Sequence, residues 1–461
     1  MKQPRKEGGF LAHLVHLIDR FSGDKVFFLI ALFLMLISVI SVFSSSPLLV
    51  SEGSDRVSIM VDQLKVVGLG FLLMFGFYFL GRPEWYKKLS KLGFLVSFLM
   101  LAILVLNLNL GILKAGEING ARRILLIAGK QLHVYEFVKL FMIMYLGWAL
   151  DTYKNHGFKW APRIAARNPR LAFLEKDVWQ KILYIYTPLL ITTCFVMMGS
   201  NSSALFIGGI MVLMVVVGGL DFKDVAAVVA VGLVIVGLLF GAHKIGLIDS
   251  GNRFATFVTR ITNDDDATMK ILMDSKRESL AWRQARGKLY QPVGALLAIK
   301  EGGVLGKGIG NSTQKYQVPV IYGDYMFSFI VEETGLWGAF ILIVLYFSLM
   351  ARGTMVAKEC DNYYDKIIVT GLTILVTGQA FMHMAVNVHL PFVPQTGQTL
   401  PLVSHGSNSF IAFAMVFGIL MSISKNAREN MARREAEAKP ILERTPWTQS
   451  STETWNTEAS E

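Results

Sequence analysis

Three carboxylates, Asp324, Glu332 and Glu333, lie close together where the chain enters a strongly apolar run. Ionisable residues are costly inside a membrane, so they usually face the bundle interior or a cavity. A carboxylate at the mouth of such a run is partly removed from water, which raises its pKa into a range suited to a general base. The alternative for Asp324 is a helix N-cap, and the alternative for the two glutamates is pairing with a cation such as Lys139.

A glycine-rich stretch precedes these carboxylates; it includes Gly306 and Gly308 and ends at Ser312. Glycine permits tight turns and a close approach of the backbone to a ligand, which is typical of a binding loop. The stretch is not a nucleotide-binding fingerprint, because no βαβ unit surrounds it. A re-entrant loop without a ligand explains the same glycines.

A second polar group contains the adjacent Arg122 and Arg123, followed by Glu136 and Lys139. Guanidinium groups bind phosphate oxygens bidentately, so the arginine pair predicts an anionic ligand. Contact with lipid headgroups is the alternative for these arginines. A third group, residues 391–410, combines prolines, glycines and hydroxyl residues, and predicts irregular backbone that lines a cavity.

The elements that must position these residues are membrane-spanning helices. Of the 461 residues, 53% are hydrophobic and 17% are charged, whereas soluble domains carry about 25% charge. Repeated apolar runs near the length that crosses a bilayer predict an all-α, polytopic integral membrane protein of about ten helices. The predicted spans are 26–43, 63–80, 92–111, 136–150, 182–198, 204–220, 224–242, 325–350, 365–389 and 408–424.

The distribution of basic residues predicts the topology. Loops 81–91 and 151–181 are rich in lysine and arginine, so the positive-inside rule places them and both termini in the cytoplasm. The net charge of +11 is explained by these membrane-adjacent cations and anionic lipids, without nucleic acid. The predicted parts are a cytoplasmic segment 1–25, a ten-helix membrane domain 26–424 with a large extracytoplasmic loop 243–324 between helices seven and eight, and a partly disordered cytoplasmic tail 425–461.

Metal and redox chemistry are not indicated by the residue types. Only two cysteines, Cys194 and Cys360, are present, and four of the histidines, His133, His383, His389 and His405, are not spaced as metal ligands. We therefore expect no protein-held metal cluster and no disulfide.

From about Asp24 to Ser424 the sequence resembles the SEDS family of membrane proteins, the FtsW, RodA and SpoVE group of peptidoglycan polymerases. The SSS close of the first span and the TGQTLPL segment lean towards FtsW. In the outer loops Thr396 replaces a lysine common in the division branch, and GSNSS at 199–203 replaces a QPDLGT-like motif. The matching pieces are VFSSS at the end of the first span, NGARR at 119–123, GGVLGKGIGNS at 302–312, GDYMFSFIVEETGLWG at 323–338 and TGQTLPLVSHGSNS at 396–409.

The resemblance implies a glycosyltransferase that polymerises lipid II, an undecaprenyl-pyrophosphate-linked disaccharide pentapeptide, on the outer face of the bacterial cytoplasmic (inner) membrane during division or elongation. It implies that Asp324 is catalytic. The residues leave open whether a divalent cation, Mg²⁺ or Mn²⁺, bridges carboxylate and pyrophosphate. The expected substrate-binding residues are Arg122, Arg123, Glu136, Lys139, Glu332, Glu333, Gly306, Gly308, Ser312 and Ser404.

The resemblance also implies partners. They are a class B penicillin-binding protein that acts as transpeptidase, divisome or elongasome proteins, and membrane lipids. Two other classes of function compete with the enzyme: a lipid II flippase or transporter, in which intramembrane charges line a path, and a non-catalytic scaffold that activates a transpeptidase.

Overall fold

The protein is a bundle of helices with one small β-sheet, as seen in a computed structural model. The structure describes residues 23–50, 55–81, 83–111, 113–118, 121–244, 289–390, 393 and 395–442, and isolated positions between 270 and 284. The predicted N-terminal segment up to residue 22, residues 245–269 and most of 270–288 in the predicted loop 243–324, and the tail after residue 442 lie outside the described residues.

Fourteen α-helices are numbered here in chain order within the described residues. Short 3₁₀ segments at Pro169–Glu175 and Gln314–Tyr316 and a π turn at Ile182–Tyr186 join some of them. The helices are α1 Lys25–Ser45, α2 Pro47–Val50, α3 Arg56–Phe79, α4 Pro83–Val105, α5 Val134–Lys154, α6 Trp160–Arg167, α7 Asp177–Lys181, α8 Thr187–Gly199, α9 Asn201–Val217, α10 Phe222–Lys244, α11 Tyr290–Gly302, α12 Met326–Glu359, α13 Tyr363–Asn387 and α14 Ser407–Leu442.

Each of the ten predicted spans overlaps a helix or, for 182–198, the continuous helical segment from α7 to α8, although the bounds differ, as for 92–111 against Pro83–Val105. Seven of these helices are long and apolar enough to cross a membrane within the described part of the chain. Large apolar side chains such as Phe33, Leu72 and Leu99 are exposed on the outside of the bundle, as expected where lipid is the solvent. The protein is therefore a multi-pass membrane protein with an essentially helical fold.

A three-stranded antiparallel sheet lies between α4 and α5, and it was not predicted from the sequence. Its strands are β1 Leu113–Ile118, β2 Ala121–Ile127 and β3 Lys130–His133, in the order β1-β2-β3. Ile127 pairs with Lys130 across a two-residue turn, in which Ala128 and Gly129 both have positive φ. Turns of that kind match the twist of a hairpin, and β2 packs against α4, α5 and α8.

Two helices, α13 and α14, form the centre of the bundle. They are the most buried of the seven candidate spans, and α14 packs along α3 while α13 packs against α5 and α12. Polar side chains on α13 therefore face protein and not lipid, where they must find hydrogen-bond partners.

Helix α12 is broken at Gly335, where φ is +70°. A break in a membrane helix is tolerated only where other groups satisfy the freed backbone, and here the glycine-rich stretch does so. Three backbone hydrogen bonds join them: Lys307 N–H to the Glu332 carbonyl, 2.9 Å; Gly308 N–H to the Glu333 carbonyl, 2.9 Å; and Leu336 N–H to the Gly303 carbonyl, 3.0 Å.

The opposite end of the bundle is held together by Asp24, which is fully buried. Its Oδ1 accepts hydrogen bonds from the N–H groups of Val26 and Phe27, at 2.9 and 3.2 Å, and so caps α1. Its Oδ2 lies 2.6 Å from Arg352 Nη2 on α12 and 2.8 Å from Arg428 Nη2 on α14. One carboxylate thus joins the first, the broken and the last helix.

Candidate active site

Asp324 lies just before α12, and its side chain is half-buried. Burial raises the pKa of this carboxyl from 3.8 to about 6, although the positive charge of Arg123 acts in the opposite direction. Gly397 is so close that a Cβ atom at position 397 would lie 2.9 Å from Asp324 Oδ2. Within the described residues no group donates a hydrogen bond to the carboxylate, so its oxygens are available to accept one from a substrate.

Asp324 is not the N-cap of α12, which was the alternative to a catalytic role. The cap position is Tyr325, whose side chain makes no capping hydrogen bond. Two residues of α13 accept from the first turn instead: His383 Nε2 lies 3.3 Å from the Phe327 nitrogen, and Asn387 Oδ1 lies 3.0 Å from the Ser328 nitrogen.

The two arginines of β2 have different surroundings. Arg122 is exposed and pairs with Glu117, with 3.2 Å between Nε and Oε1. Arg123 is half-buried, donates from Nε to the Gly199 carbonyl at 3.1 Å, and exerts its charge on Asp324. The structure therefore associates Arg123 with the candidate base and places Arg122 in a cross-strand ion pair with Glu117 of β1.

Lys139 is buried on α5 and uses its ammonium group within the protein. Its Nζ donates to Glu136 Oε1 at 2.8 Å, to Gln379 Oε1 at 2.7 Å and to Gln398 Oε1 at 3.2 Å. An ammonium group has three donors, so these contacts occupy all of them. Lys139 holds Gln398, the neighbour of Gly397, and acts on the candidate site through that loop.

Residues 395–406 have irregular backbone, as predicted for 391–410, and lie beside Asp324. Ser404 Oγ donates to the Gly323 carbonyl at 2.7 Å, directly beside Asp324, and also accepts from the Leu400 N–H at 2.9 Å. Gln398 Nε2 donates to Ser203 Oγ at 3.1 Å. Ser404 thus positions backbone next to the candidate base.

Glu332 and Glu333 bind the glycine-rich stretch and lie about two turns along α12 from Asp324. Glu332 is fully buried and accepts from Lys307 Nζ and from the Thr313 N–H, both at 2.8 Å, and from Ser312 Oγ at 2.5 Å. The suggested pairing of the two glutamates with Lys139 is wrong, because Lys139 pairs with Glu136 on its own helix.

Glu333 attaches the same stretch to the first helix. Its Oε1 accepts from Ser44 Oγ on α1 at 2.6 Å and from the Gly310 N–H at 3.0 Å, and it lies 3.9 Å from Lys315 Nζ. Gly306 is in tight contact with the break in α12, since an added Cβ would lie 2.3 Å from the Glu333 carbonyl oxygen. Gly308 and Ser312 contact the same helix, so these residues have structural partners and the substrate role expected for them is left as a proposal.

Two buried oxygen atoms in this region have no hydrogen-bond partner in the described part of the chain. They are Glu136 Oε2, beside Lys139, and Thr396 Oγ1, beside Gly397. Both oxygen atoms can accept a hydrogen bond. Among the described residues, no group of three or more His, Cys, Asp and Glu side chains could hold a metal ion.

Several residues that hold the site together were not singled out from the sequence. Gln379, His383 and Asn387 on α13 all contact its walls or the start of α12. They recur every fourth position in an apolar run, which places them on one face of a helix. This four-residue spacing of polar residues in the sequence predicts a polar face on α13.

The fold and the site together define a polytopic membrane protein with a half-buried carboxylate, beside an arginine-bearing sheet, at one end of its helical bundle. A family model for cell cycle proteins, FtsW/RodA/SpoVE, matches residues 24–429. The chain belongs to this family.

Curated relatives match nearly end to end. Stage V sporulation protein E of Bacillus subtilis (strain 168) is 25% identical, over 88% of this chain and 98% of the relative. The probable peptidoglycan glycosyltransferase FtsW of Methylomonas methanica is 26% identical, over 89% of this chain and 94% of the relative.

Solved structures show the same fold. A chain from a study of polymerization and crosslinking by a peptidoglycan synthase complex superposes with a TM-score of 0.58 and 22% identity, over 88% of this chain and 98% of that one. The rod shape determining protein RodA of Thermus thermophilus gives a TM-score of 0.54 and 20% identity, over 89% and 99% of the two chains.

Proposed function

We propose that this chain is a peptidoglycan glycosyltransferase that polymerises lipid II, with Asp324 as its general base. Family membership and relatives named as peptidoglycan glycosyltransferases support the reaction class. The observation that carries the assignment of the base is the Asp324 carboxylate, which is half-buried, has a pKa raised to about 6 and accepts no hydrogen bond from the described residues.

In the proposed reaction, Asp324 takes the proton from the 4-hydroxyl of the acceptor lipid II. The acceptor oxygen then forms a bond to the anomeric carbon of the lipid-linked strand, while the bond from that carbon to the pyrophosphate breaks. Undecaprenyl pyrophosphate leaves with the bonding electrons, and the single displacement inverts the anomeric centre. A base with a pKa near the working pH suits this proton transfer.

The arginines of β2 supply positive charge for the leaving group. Negative charge develops on the pyrophosphate as the bond breaks, and fixed cations at that position stabilise the transition state. Arg123 is the better placed of the two, because its charge already acts on Asp324. Arg122 has only the exposed Glu117 as its ion-pair partner in the described residues, so a phosphate can replace that partner.

The membrane placement and the partners belong to the same proposal. The Asp324 end of the bundle faces the outside of the inner membrane, and the Asp24 end, with both termini, faces the cytoplasm, in accord with the basic loops. A transpeptidase partner and the assembly for division or elongation complete the proposal, supported by the likeness to a chain from a peptidoglycan synthase complex.

The test uses purified protein, its class B penicillin-binding protein partner and lipid II, with glycan polymer measured after separation by size. Asp324→Asn should abolish polymer formation while expression and thermal stability are kept. Asp62→Asn is the matched control, because Asp62 is an exposed aspartate paired with Lys65 on the surface of α3. Full activity of Asp324→Asn would contradict the base assignment. A wild-type complex in which the transpeptidase is active but lipid II is never consumed would favour a scaffold or a transporter.

A further inference from the structure

The start of α12 lacks a capping side chain of its own, and two residues of the neighbouring helix take that role. We propose that His383 and Asn387 are positioning residues that keep the Asp324 carboxylate free to accept a substrate proton, by capping α12 from α13. The inference rests on the proposed function for its kinetic consequence, while the capping itself is a property of the fold.

The capping contacts occupy the positions that a normal N-cap side chain would use. The N–H groups of the second and third residues of a helix are the usual targets of such a side chain, and in α12 these residues are Phe327 and Ser328. His383 Nε2 and Asn387 Oδ1 accept from them at 3.3 and 3.0 Å. Both α13 residues are almost fully buried, so water does not compete for these N–H groups.

Asp324 directly precedes the cap position Tyr325, so without these two acceptors its carboxylate is the acidic group nearest in sequence to the free N–H groups. Capping by Asp324 would lower its pKa, since hydrogen bonds and the positive end of the helix dipole favour the ionised form. It would also turn the carboxylate oxygens towards the helix and away from an acceptor hydroxyl. The α13 residues thus prevent a local interaction that is favourable for the helix and harmful to a general base.

The same two residues also fix the backbone on either side of Asp324. Asn387 Nδ2 donates to the Asp324 carbonyl at 3.0 Å. His383 Nδ1 lies 2.6 Å from the Gln398 carbonyl, and because Nε2 accepts from Phe327, the proton of a neutral imidazole must be on Nδ1. His383 therefore holds the loop residue next to Gly397, which faces the carboxylate.

The charges around Asp324 determine the direction of any change in its pKa. Arg123 on β2 is the charged side chain that acts on Asp324 within the described residues. On α5, the Lys139 ammonium is paired with Glu136 and lies behind Gln398. On α13, His383 is neutral in the tautomer described above, and in the loop 395–406 the ring of His405 contacts Gln63 and not Asp324.

The test measures polymerisation against pH for the wild type and three variants in complex with the transpeptidase. The wild-type rate should rise with pH at about pH 6, and this rise is the acidic limb of the profile. In Asn387→Ala and His383→Ala, the acidic limb should move towards lower pH. The turnover number should fall by about tenfold or more, with KM little changed. Asn387→Asp keeps the acceptor for Ser328 and adds a negative charge beside Asp324, so its limb should move to higher pH.

Thr377→Val is the matched control, since Thr377 is a buried residue of the same helix whose hydroxyl bonds only to its own backbone, at Thr373. Its limb should stay in place. A merely structural role for Asn387 would lower activity without moving the limb. An unchanged limb in folded Asn387→Ala would therefore overturn the proposal.

A stability cycle tests the capping without any catalysis. Asp324→Ala should leave the unfolding temperature nearly unchanged in the wild type, and should lower it in the Asn387→Ala background, where Asp324 has become the cap. Equal effects in both backgrounds would overturn the capping inference. Absence of lipid II polymerisation in the wild type would instead overturn the proposed function and leave this cycle interpretable.

Discussion

At the scale of single residues, the site depends on which side chains are already satisfied. Lys139 and the two glutamates of α12 form hydrogen bonds or ion pairs with protein partners. Among the described residues, no group donates a hydrogen bond to the Asp324 carboxylate. A group that is satisfied by the fold positions its neighbours, and a group that is not can act on a substrate. This difference separates Asp324 from the other carboxylates predicted beside it.

The pH dependence of the reaction is expected to report the charge of Arg123. With Asp324 as base, activity rises with pH through its pKa of about 6, because only the ionised carboxylate accepts a proton. Arg123→Gln removes a cation that lowers this pKa, so the acidic limb should move to higher pH. Rate profiles of polymerisation between pH 4.5 and about 8 measure the shift.

Arg122→Gln is the control for that experiment. Arg122 belongs to the same strand but pairs with Glu117 across the sheet, so its loss should leave the limb of the pH profile in place even if substrate binding weakens. Identical shifts in the two variants would show that the position of Arg123 relative to Asp324 has no particular effect.

At the scale of elements, hydropathy was enough to locate the helices. Ten apolar runs became helices, because a membrane leaves the backbone few other ways to satisfy its hydrogen bonds. The sheet between α4 and α5 has no long apolar run of its own, and its two-residue turn uses Ala128 in a conformation unusual for alanine. No strong turn motif marks it, so this element could not be predicted in the same way.

The partners of the predicted site residues were harder to predict than the residues themselves. The catalytic role expected for Asp324 rested on the resemblance to the SEDS family, whereas its position at the mouth of a helix predicted only partial burial, which the structure shows. The partners of Glu332 depend on how a glycine-rich stretch folds back on a broken helix. Such long-range contacts have no local period in the sequence, whereas the stripe formed by Gln379, His383 and Asn387 does.

The break in α12 makes a prediction about the glycine-rich stretch. Gly306 has φ +77°, and an added Cβ would lie 2.3 Å from the Glu333 carbonyl oxygen. Left-handed backbone strain costs an L-residue about 1–2 kcal/mol. Gly306→Ala should displace the stretch as well, and should therefore lower the free energy of unfolding by more than that amount. Unfolding in detergent, followed by intrinsic fluorescence, measures the effect.

Gly310→Ala provides the comparison for Gly306→Ala. Gly310 has φ +90° and nothing within 4 Å of an added Cβ, so this variant carries the strain without the clash. The prediction fails if the two alanine variants lose the same free energy of unfolding, because the close contact of Gly306 with α12 would then contribute nothing to stability.

At the scale of the whole molecule, two carboxylates on opposite ends of α1 and α12 tie the bundle together. Glu333 joins α12 to the end of α1 through Ser44, and Asp24 joins the start of α1 to Arg352 and Arg428. The outer helices expose apolar surface to lipid, which supplies little force to hold helices to one another. Polar clamps at both ends therefore carry much of the specificity of assembly.

The Asp24 clamp can be separated from the capping of α1 by two substitutions. Asp24→Asn keeps a good N-cap but removes the negative charge that pairs with Arg352 and Arg428. This loss should destabilise the protein by about 3–5 kcal/mol. Asp24→Ala should cost about 1 kcal/mol more, because the cap is lost as well. Thermal unfolding of the purified protein in one detergent compares the two, and equal stability of Asp24→Asn and the wild type would contradict the clamp.

The absent side chain at Gly397 has a consequence for experiments in living cells. An alanine there would place its methyl group 2.9 Å from Asp324 Oδ2, obstructing the oxygen that receives the proton without altering any charge or ion pair. In cells that depend on this protein for glycan synthesis, Gly397→Ala should therefore be produced, inserted and recruited normally, yet fail to restore that synthesis, whereas Gly406→Ala in the same loop, with its nearest contact at 3.4 Å, should restore it. The two alleles separate two requirements of the cell: the catalytic activity of this protein, and its presence as a member of an assembly.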